Sequence, residues 1–263
     1  MKYAVALILV LTVFLFTTSF FFRQAKKLNK NISNEHFKII ETIDDNYELV
    51  IVSSHYNEDI NWLKDADLPV VVCSKKLASP LCPIAENKGR EASSFLKFII
   101  DNYDNLPPNV AFIHGHEDAW HQRLAQQNSK SFLDIIRCAK YKEYGYVSLN
   151  NYYIDDRDDN SANQKHLLAV WDELFRPFLN RDPPAYSLND CCAQFIVSRE
   201  RILARPKEAY EHWYNYLIFK DPVEDNSYII GVVFEFMWPI IFGEPDVVLQ
   251  KEYKARFNCN LDF

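Results

Sequence analysis

The densest set of chemistry-bearing side chains in this sequence is His114-Gly115-His116-Glu117-Asp118-Ala119-Trp120-His121, where three imidazoles and two carboxylates fall within eight positions. Imidazole and carboxylate are the donor types that suit zinc, manganese or iron, and Gly115 lets the backbone come close to a bound group. His116 and His121 are not at the i, i+4 spacing of a metalloprotease helix, so that motif is absent. The segment follows an apolar run and therefore sits where a strand leaves a sheet, and polar groups converging there mark a binding cleft. His114, His116 and Asp118 are the candidate ligands of a divalent metal, manganese or magnesium, with zinc as the other option. The plainer alternative has single histidines satisfying backbone groups in a tight turn while Trp120 packs in the core.

Three further segments carry chemistry. Ser54-His55-Tyr56-Asn57-Glu58-Asp59 follows the first apolar run, and a hydrogen-bonding loop with helix amides there could receive a nucleotide or sugar, although Asn57, Glu58 and Asp59 equally suit a helix cap. Asn87-Lys88-Gly89-Arg90-Glu91 opens a helix, and Lys88 and Arg90 are suited to phosphates through charge and bidentate hydrogen bonds. It lacks the glycine spacing and the Lys-Ser/Thr pair of a Walker loop. Glu235 lies within Val233-Phe234-Glu235-Phe236-Met237-Trp238, where a carboxylate must either pair or have its pKa raised, as suits a general base; a structural pairing with Arg199 or Arg201 is the alternative. The Asp-x-Asp spacings of Asp155 to Asp159 read as solvated surface.

The elements that must position these groups alternate. Tyr47 to Ser53, Pro69 to Cys73, Asn109 to Ile113 and Gln194 to Ser198 are β-branched or aromatic runs suited to buried strands. Helical patterns fall from Asn57 to Leu63, Arg90 to Tyr103 up to Pro107-Pro108, Ser131 to Tyr141, Gln164 to Leu179 and Glu200 to Phe219, with a kink or restart at Pro206. The expectation is an α/β domain with a mainly parallel sheet covered by helices on both faces, its ligands bound beyond the carboxyl ends of the strands.

Before this domain, Ala4 to Phe22 carries no charge and is long enough to span the ~30 Å hydrocarbon core, so residues 4–22 are expected to anchor the chain in a membrane behind a short flank at 1–3. A cleaved signal peptide is the competing reading. Residues 23–46 read as a polar stem and 47–263 as the globular domain. Arg23, Lys26, Lys27 and Lys30 follow the apolar run, so a positive-inside count points to a cytosolic domain, while the sequon Asn31-Ile32-Ser33 points weakly the other way. The net charge of −7 argues against a nucleic-acid partner. Six cysteines without a Cys-x-x-Cys pair indicate neither a zinc ribbon nor a thioredoxin-type site, and Cys73 with Cys82 is one plausible bridge, free thiols being the other reading.

Tyr56-Asn57-Glu58-Asp59 with Trp62-Leu63, Asn87-Lys88-Gly89-Arg90-Glu91-Ala92, Asn102 to Pro107, His114 to His121, Gln194 to Glu200, and Phe234-Glu235 with Trp238 and Ile241-Phe242-Gly243 together resemble the domain of unknown function 3431 family over about residues 47–245. The order of parts is more distantly similar to GT-A glycosyltransferases, except that their strand-ending Asp-x-Asp is replaced by His114-Gly115-His116-Glu117-Asp118. That resemblance implies a GT-A or Rossmann-like fold and transfer of a sugar from a nucleotide sugar to a glycan or glycoconjugate acceptor. A metal at His116 and Asp118, with His114, would neutralise the departing diphosphate, placing Asp118 in the catalytic centre. Lys88 and Arg90 would add positive charge, Tyr56, Asn57, Glu58 and Asp59 would hold the donor, and Glu235 would take the acceptor's proton. The short anchor and stem fit a transferase of the endoplasmic reticulum or Golgi lumen. Metal-dependent hydrolysis with Glu117 as base, or a non-catalytic anchored binding module, are the alternatives.

Overall fold

The computed structural model describes residues 39–76, 79–83, 87–150, 153–155, 162–185, 188–220 and 227–262. The anchor expected at 4–22, the stem as far as residue 38, and Asp156 to Asp159 lie outside the described residues. Among the described residues no helix is long and apolar enough to cross a membrane.

The strands are β1 (Leu49–His55), β2 (Val70–Ser74), β3 (Asn109–His114), β4 (Tyr146–Ser148), β5 (Tyr153–Asp155), β6 (Leu188–Asp190) and β7 (Phe195–Ser198). The α-helices are α1 (Ala92–Asn102), α2 (Arg123–Gln127), α3 (Phe132–Cys138), α4 (Tyr141–Tyr144), α5 (Ala162–Leu174), α6 (Arg176–Leu179), α7 (Arg199–Leu203), α8 (Lys207–Asn215), α9 (Ser227–Ile241) and α10 (Gln250–Lys254).

A five-stranded sheet runs in the order β2-β1-β3-β7-β4, and β5 pairs with β6 in a separate ribbon. β1 is parallel to β2 and β3, but β7 enters antiparallel between β3 and β4. The sheet is therefore mixed. The chain leaves β4 at its carboxyl end and returns beside it, Leu149 N donating to the Gln194 carbonyl at 2.9 Å, so β7 can only run back.

Alternate residues of each strand serve opposite faces. Val50, Val52, Val71, Val110 and Phe112 pack with α1, α8 and α9, while Leu49, Ile51, Val70, Ala111 and Ile113 pack with the 3-10 helix Asn61–Ala66 and with α2 and α3. Burial on both faces explains why the strands read as unbroken apolar runs. On the first face the ring of Phe95 lies 4.8–6.0 Å, centroid to centroid, from those of Phe112, Phe195 and Trp238, and Phe195 lies 5.4 and 5.7 Å from Phe112 and Trp238. Each such fully buried ring contributes roughly 1.5–3 kcal/mol.

Several helices differ from expectation for local reasons. The first begins only at Asn61, because Asp59 Oδ1 accepts the Asn61 amide at 3.0 Å and turns 57–60 into a loop rather than a helical first turn. Ser131 caps α3 with a reciprocal capping box to Asp134. The pattern over 200–219 restarts after Pro206, the N-cap of α8, as proline chemistry requires.

Cys73 bonds to Cys82, Cys138 to Cys259, and Cys191 to its neighbour Cys192. The first two close loops with sequence separations of 9 and 121. Chain-entropy arguments assign them about 3 and about 5 kcal/mol. Replacing Cys138 and Cys259 by serine should therefore lower the denaturant midpoint more than replacing Cys73 and Cys82 by alanine; the reverse order in urea melts would show that the longer loop is already ordered in the unfolded chain.

Candidate functional site

The chain passes from β1 to β2 on one side of β1, then through α1 to β3 on the other, so the strand order reverses at β1 and a crevice opens at the carboxyl ends of β1 and β3. A cleft of about 190 Å³ occupies that position, lined by the ends of β1 and β3, the turn before α1, and Lys75 just past β2.

Arg90 lines it. Its Nη1 lies 2.6 Å from Glu235 Oε1 on α9, and its Nε lies 3.8 Å from Glu91 Oε2. Arg90 has a left-handed φ of 51°, an uncommon backbone state for a side-chain-bearing residue that functional sites tolerate when surrounding contacts enforce it. The enforcing contact is visible. A Cβ on Gly231 would stand 3.0 Å from both the backbone of Gly89 and the Arg90 side chain, so only glycine lets α9 come this close. Glu235 stands one helical turn beyond Gly231, on the same face, and is thereby delivered to Arg90.

The two carboxylates are pushed apart in pKa. Burial raises Glu235 to about 7, a shift that Arg90 opposes and Glu91 reinforces. Burial acts the same way on Glu91, but His114, Arg90, its own backbone amide and Lys75 together hold it below the usual carboxylate range. Two carboxyl groups with divergent pKa values side by side are what acid–base chemistry near neutral pH requires. Polar atoms left without a hydrogen bond lie here too: Glu91 Oε2 and His114 Nε2 are buried and lack one, whereas Glu235 Oε1 is held by Arg90. Native interiors rarely leave such atoms unsatisfied without a functional reason.

Lys75 is buried, and its ammonium donates to the carbonyls of Lys88 and Arg90. Burial lowers it to about 8, against the pull of Glu91 and Glu58. His55 donates from Nε2 to the Glu58 carbonyl at 3.2 Å and accepts from the Ser74 hydroxyl at Nδ1 at 3.1 Å. Burial lowers its pKa, and this pair of bonds belongs to the neutral imidazole.

The residues singled out in the sequence are distributed unevenly. His114 is buried, its Nε2 3.7 Å from Glu91 Oε1, and burial lowers its pKa. His116 is exposed on the rim, 3.6 Å from Glu58 Oε1. Glu117 and Asp118 are exposed beyond it. Among the described residues the group of three metal-type donors whose ligand atoms lie together is Cys191, Cys192 and Glu235, not His114, His116 and Asp118. Past Gly115 the chain turns outward, so the donors face different partners. Trp120 is 62% exposed rather than part of the core, and His121 is the buried member, donating to Asn150 Oδ1 at 2.9 Å and lowered by burial to about 4.

Glu58 turns inward on its own loop. Its Oε2 accepts the amides of Tyr56 and Asn57 at 2.6 and 3.0 Å, and although burial alone would raise its pKa, these amides and His116 hold it low. It also fills the space a side chain at position 115 would need, which explains Gly115. Asp59 is spent on the Asn61 amide, whereas Tyr56 and Asn57 stay exposed, with Lys76 over the Tyr56 ring and bonded to Asn57. Lys88 donates to the Ile218 carbonyl at 2.8 Å, so it ties α1's entrance to the segment after α8. Glu235 pairs with Arg90; Arg201, the alternative partner, instead holds Glu244.

Composition and spacing passed over Lys75, Glu91 and the polar scaffold behind them. Gln194 Oε1 accepts the His114 amide and Gln122 Nε2, while Gln194 and His121 both donate to Asn150 Oδ1. The signal available for Lys75 was its place immediately after a strand.

The family model described as Protein of unknown function (DUF3431) matches residues 50–258. The chain belongs to the DUF3431 family. No curated protein and no solved structure matches it. Every cleft residue of this DUF3431 chain named above falls inside the matched span, so the cleft is built within the family domain.

The raised pKa of Glu235 has a stability consequence with a definite sign. The folded chain holds this proton more tightly than the unfolded chain, so its penalty is absent below about pH 4.5 and grows until the pH passes about 7. Glu235→Gln should therefore stabilise the protein by up to about 3 kcal/mol at pH 8 and by nothing at pH 4. Thermal melts of both proteins across that range would reveal it, and a pH-independent difference would mean that Arg90 fully compensates the burial.

Proposed function

We propose that this protein is a glycosyltransferase, moving a sugar from a nucleotide sugar to a hydroxyl of a glycan or glycoconjugate acceptor, with its domain held at a membrane by residues 4–22. The observation that carries this reading is Arg90 set between Glu235 and Glu91, with their pKa values driven apart, in the crevice where the strand order reverses. Four of the sheet's five strands share one direction, in keeping with a GT-A or Rossmann-like layout.

In this reading the Glu235 carboxylate accepts the proton of the acceptor hydroxyl as that hydroxyl's oxygen attacks the anomeric carbon and the bond to the diphosphate breaks. A base whose pKa is about 7 is half-ionised at neutral pH and so both available and strong enough. The leaving diphosphate develops negative charge, which Arg90 meets directly and Lys75 reinforces from below through the field of its buried ammonium. Tyr56 and Asn57, exposed on the β1 loop, are placed to hold the donor's nucleoside, while Glu58 and Asp59 shape that loop. The set His114, His116 and Asp118 does not converge as a ligand sphere, so the expected manganese, magnesium or zinc ion is given no step here. Three cysteine pairs suit an oxidising compartment, which supports a lumenal placement of the domain.

A thermal-shift screen against nucleoside diphosphates and nucleotide sugars, with and without manganese, tests this directly. One nucleotide sugar should stabilise the protein, by about 2.7 kcal/mol at a hundred times its Kd. Arg90→Ala should remove that stabilisation. With the donor so identified, Glu235→Gln should bind it normally but lose about 10²–10⁴ in kcat, and wild-type kcat should rise with a midpoint near pH 7. No shift with any nucleotide would overturn the transferase reading, and a shift seen only with manganese would restore the metal to the mechanism.

A further inference from the structure

Glu91 Oε2 and His114 Nε2 are buried and make no hydrogen bond. Both residues line the cleft, and the His114 side chain is only 8% exposed. Each atom has a polar neighbour, but at a distance past the reach of a hydrogen bond: Arg90 Nε stands 3.8 Å from Glu91 Oε2, and Glu91 Oε1 stands 3.7 Å from His114 Nε2. Polar groups held at such separations leave the place of a bridging oxygen.

The chemistry of the two atoms narrows what fills that place. Although burial favours its neutral form, Glu91 is kept ionised by His114, Arg90, its own backbone amide and Lys75, so Oε2 is an acceptor only. Its partner must bring a proton, and an anion there is repelled. An ammonium brings protons but stands against Lys75 and Arg90, which line the same cleft. An amide N–H donates to Oε2 but cannot accept from an imidazole N–H. A hydroxyl donates to Oε2 and accepts from Nε2–H, and where the tautomer makes Nε2 an acceptor, a neighbouring hydroxyl donates to it; a vicinal diol meets both cases. The cleft of about 190 Å³ has room for one sugar ring and little more, and Glu58 and Glu91 match Lys75 and Arg90 in its lining, so a neutral ring meets balanced charge.

We propose that Glu91 and His114 form a subsite for an uncharged sugar ring and hold two of its adjacent hydroxyls, one on Glu91 Oε2 and one at His114 Nε2. A ring in this place completes the hydrogen bonding of both buried atoms, and a ring without one of those hydroxyls leaves its partner unsatisfied, which is a source of strong discrimination. The subsite stands on these two atoms and the cleft. Only the next step, that the ring is the donor's sugar with its diphosphate toward Arg90 and Lys75, rests on the transferase reading.

The test uses the full chain in a detergent without a sugar headgroup and reads saturation-transfer NMR with free glucose, galactose, mannose and N-acetylglucosamine, none of which carries a charge or a nucleotide. At least one should receive saturation from the protein and titrate to a defined Kd. Glu91→Gln, which keeps the shape of the side chain, should raise that Kd about tenfold or more, and His114→Phe should do the same. Deoxy sugars lacking one hydroxyl at a time should reveal two adjacent positions whose loss weakens binding to the wild type; one should cost nothing further in Glu91→Gln and the other nothing further in His114→Phe. The proposal is overturned if none of the four sugars is saturated, in which case water alone completes the two atoms, or if Glu91→Gln binds the sugar as the wild type does. Should His114→Phe fail to fold, the Glu91→Gln result decides by itself. Sugar binding without binding of any nucleotide keeps the subsite and removes the transferase, whereas binding of a nucleotide sugar with a Kd indifferent to Glu91→Gln does the reverse.

Discussion

The ion pair between Arg90 and Glu235 joins the turn that opens α1 to α9 across the DUF3431 domain, and it sets the charge balance beside the cleft. Glu235 is carried into a buried setting by one of the most apolar helices in the chain, where an unpaired carboxylate would cost several kcal/mol. Arg90 offsets that cost only in part, because Glu91 also draws on the same guanidinium. The residual penalty appears as a carboxyl group that holds its proton to about pH 7. What would be a defect in a purely structural ion pair is the property a proton acceptor needs, and it follows from one arginine serving two acids.

The rest of the fold can be understood as what makes that arrangement tolerable. Gly231 permits α9 to touch the Gly89–Arg90 turn, and that contact keeps Arg90 in its left-handed conformation. The aromatic cluster on the α1 and α9 face holds α9 against the sheet through Trp238. Behind β3, the amide side chains of Gln122, Asn150 and Gln194 share donors and acceptors in a closed set that fixes His114 and the Cys191–Cys192 bend. Satisfied networks of this kind make a low-dielectric site rigid, whereas Glu91 Oε2 and His114 Nε2, on residues that line the cleft, are left without a hydrogen bond.

Much of the scaffold was legible because it is written in local periodicity. The strands around 49–55, 70–74 and 109–114 and the helix from 92 were readable from apolar spacing, to within two residues at most ends. Those same patterns placed the cleft, since the segments after parallel strands are where ligands meet such sheets. The short strands β4, β5 and β6 were not readable, being three residues each and held by partners distant in sequence rather than by their own composition. The antiparallel entry of β7 was equally hidden, because strand direction depends on which end of the sheet the chain returns to.

For the site, the sequence by itself determined that Glu235 had to be paired or shifted, that Arg90 opened a helix, and that polar groups clustered past residue 113. Only the tertiary structure decided that Glu235 and Arg90 are partners, that Lys88 is anchored away while Lys75 takes its place beneath the cleft, and that His114, His116 and Asp118 diverge. The reason is physical. Burial and helical or strand spacing are properties of a few neighbouring residues, whereas an ion pair, a disulfide or a shared proton belongs to side chains brought together by the crossing of a sheet, and density of donors along a chain says nothing about whether a turn will point them inward or out.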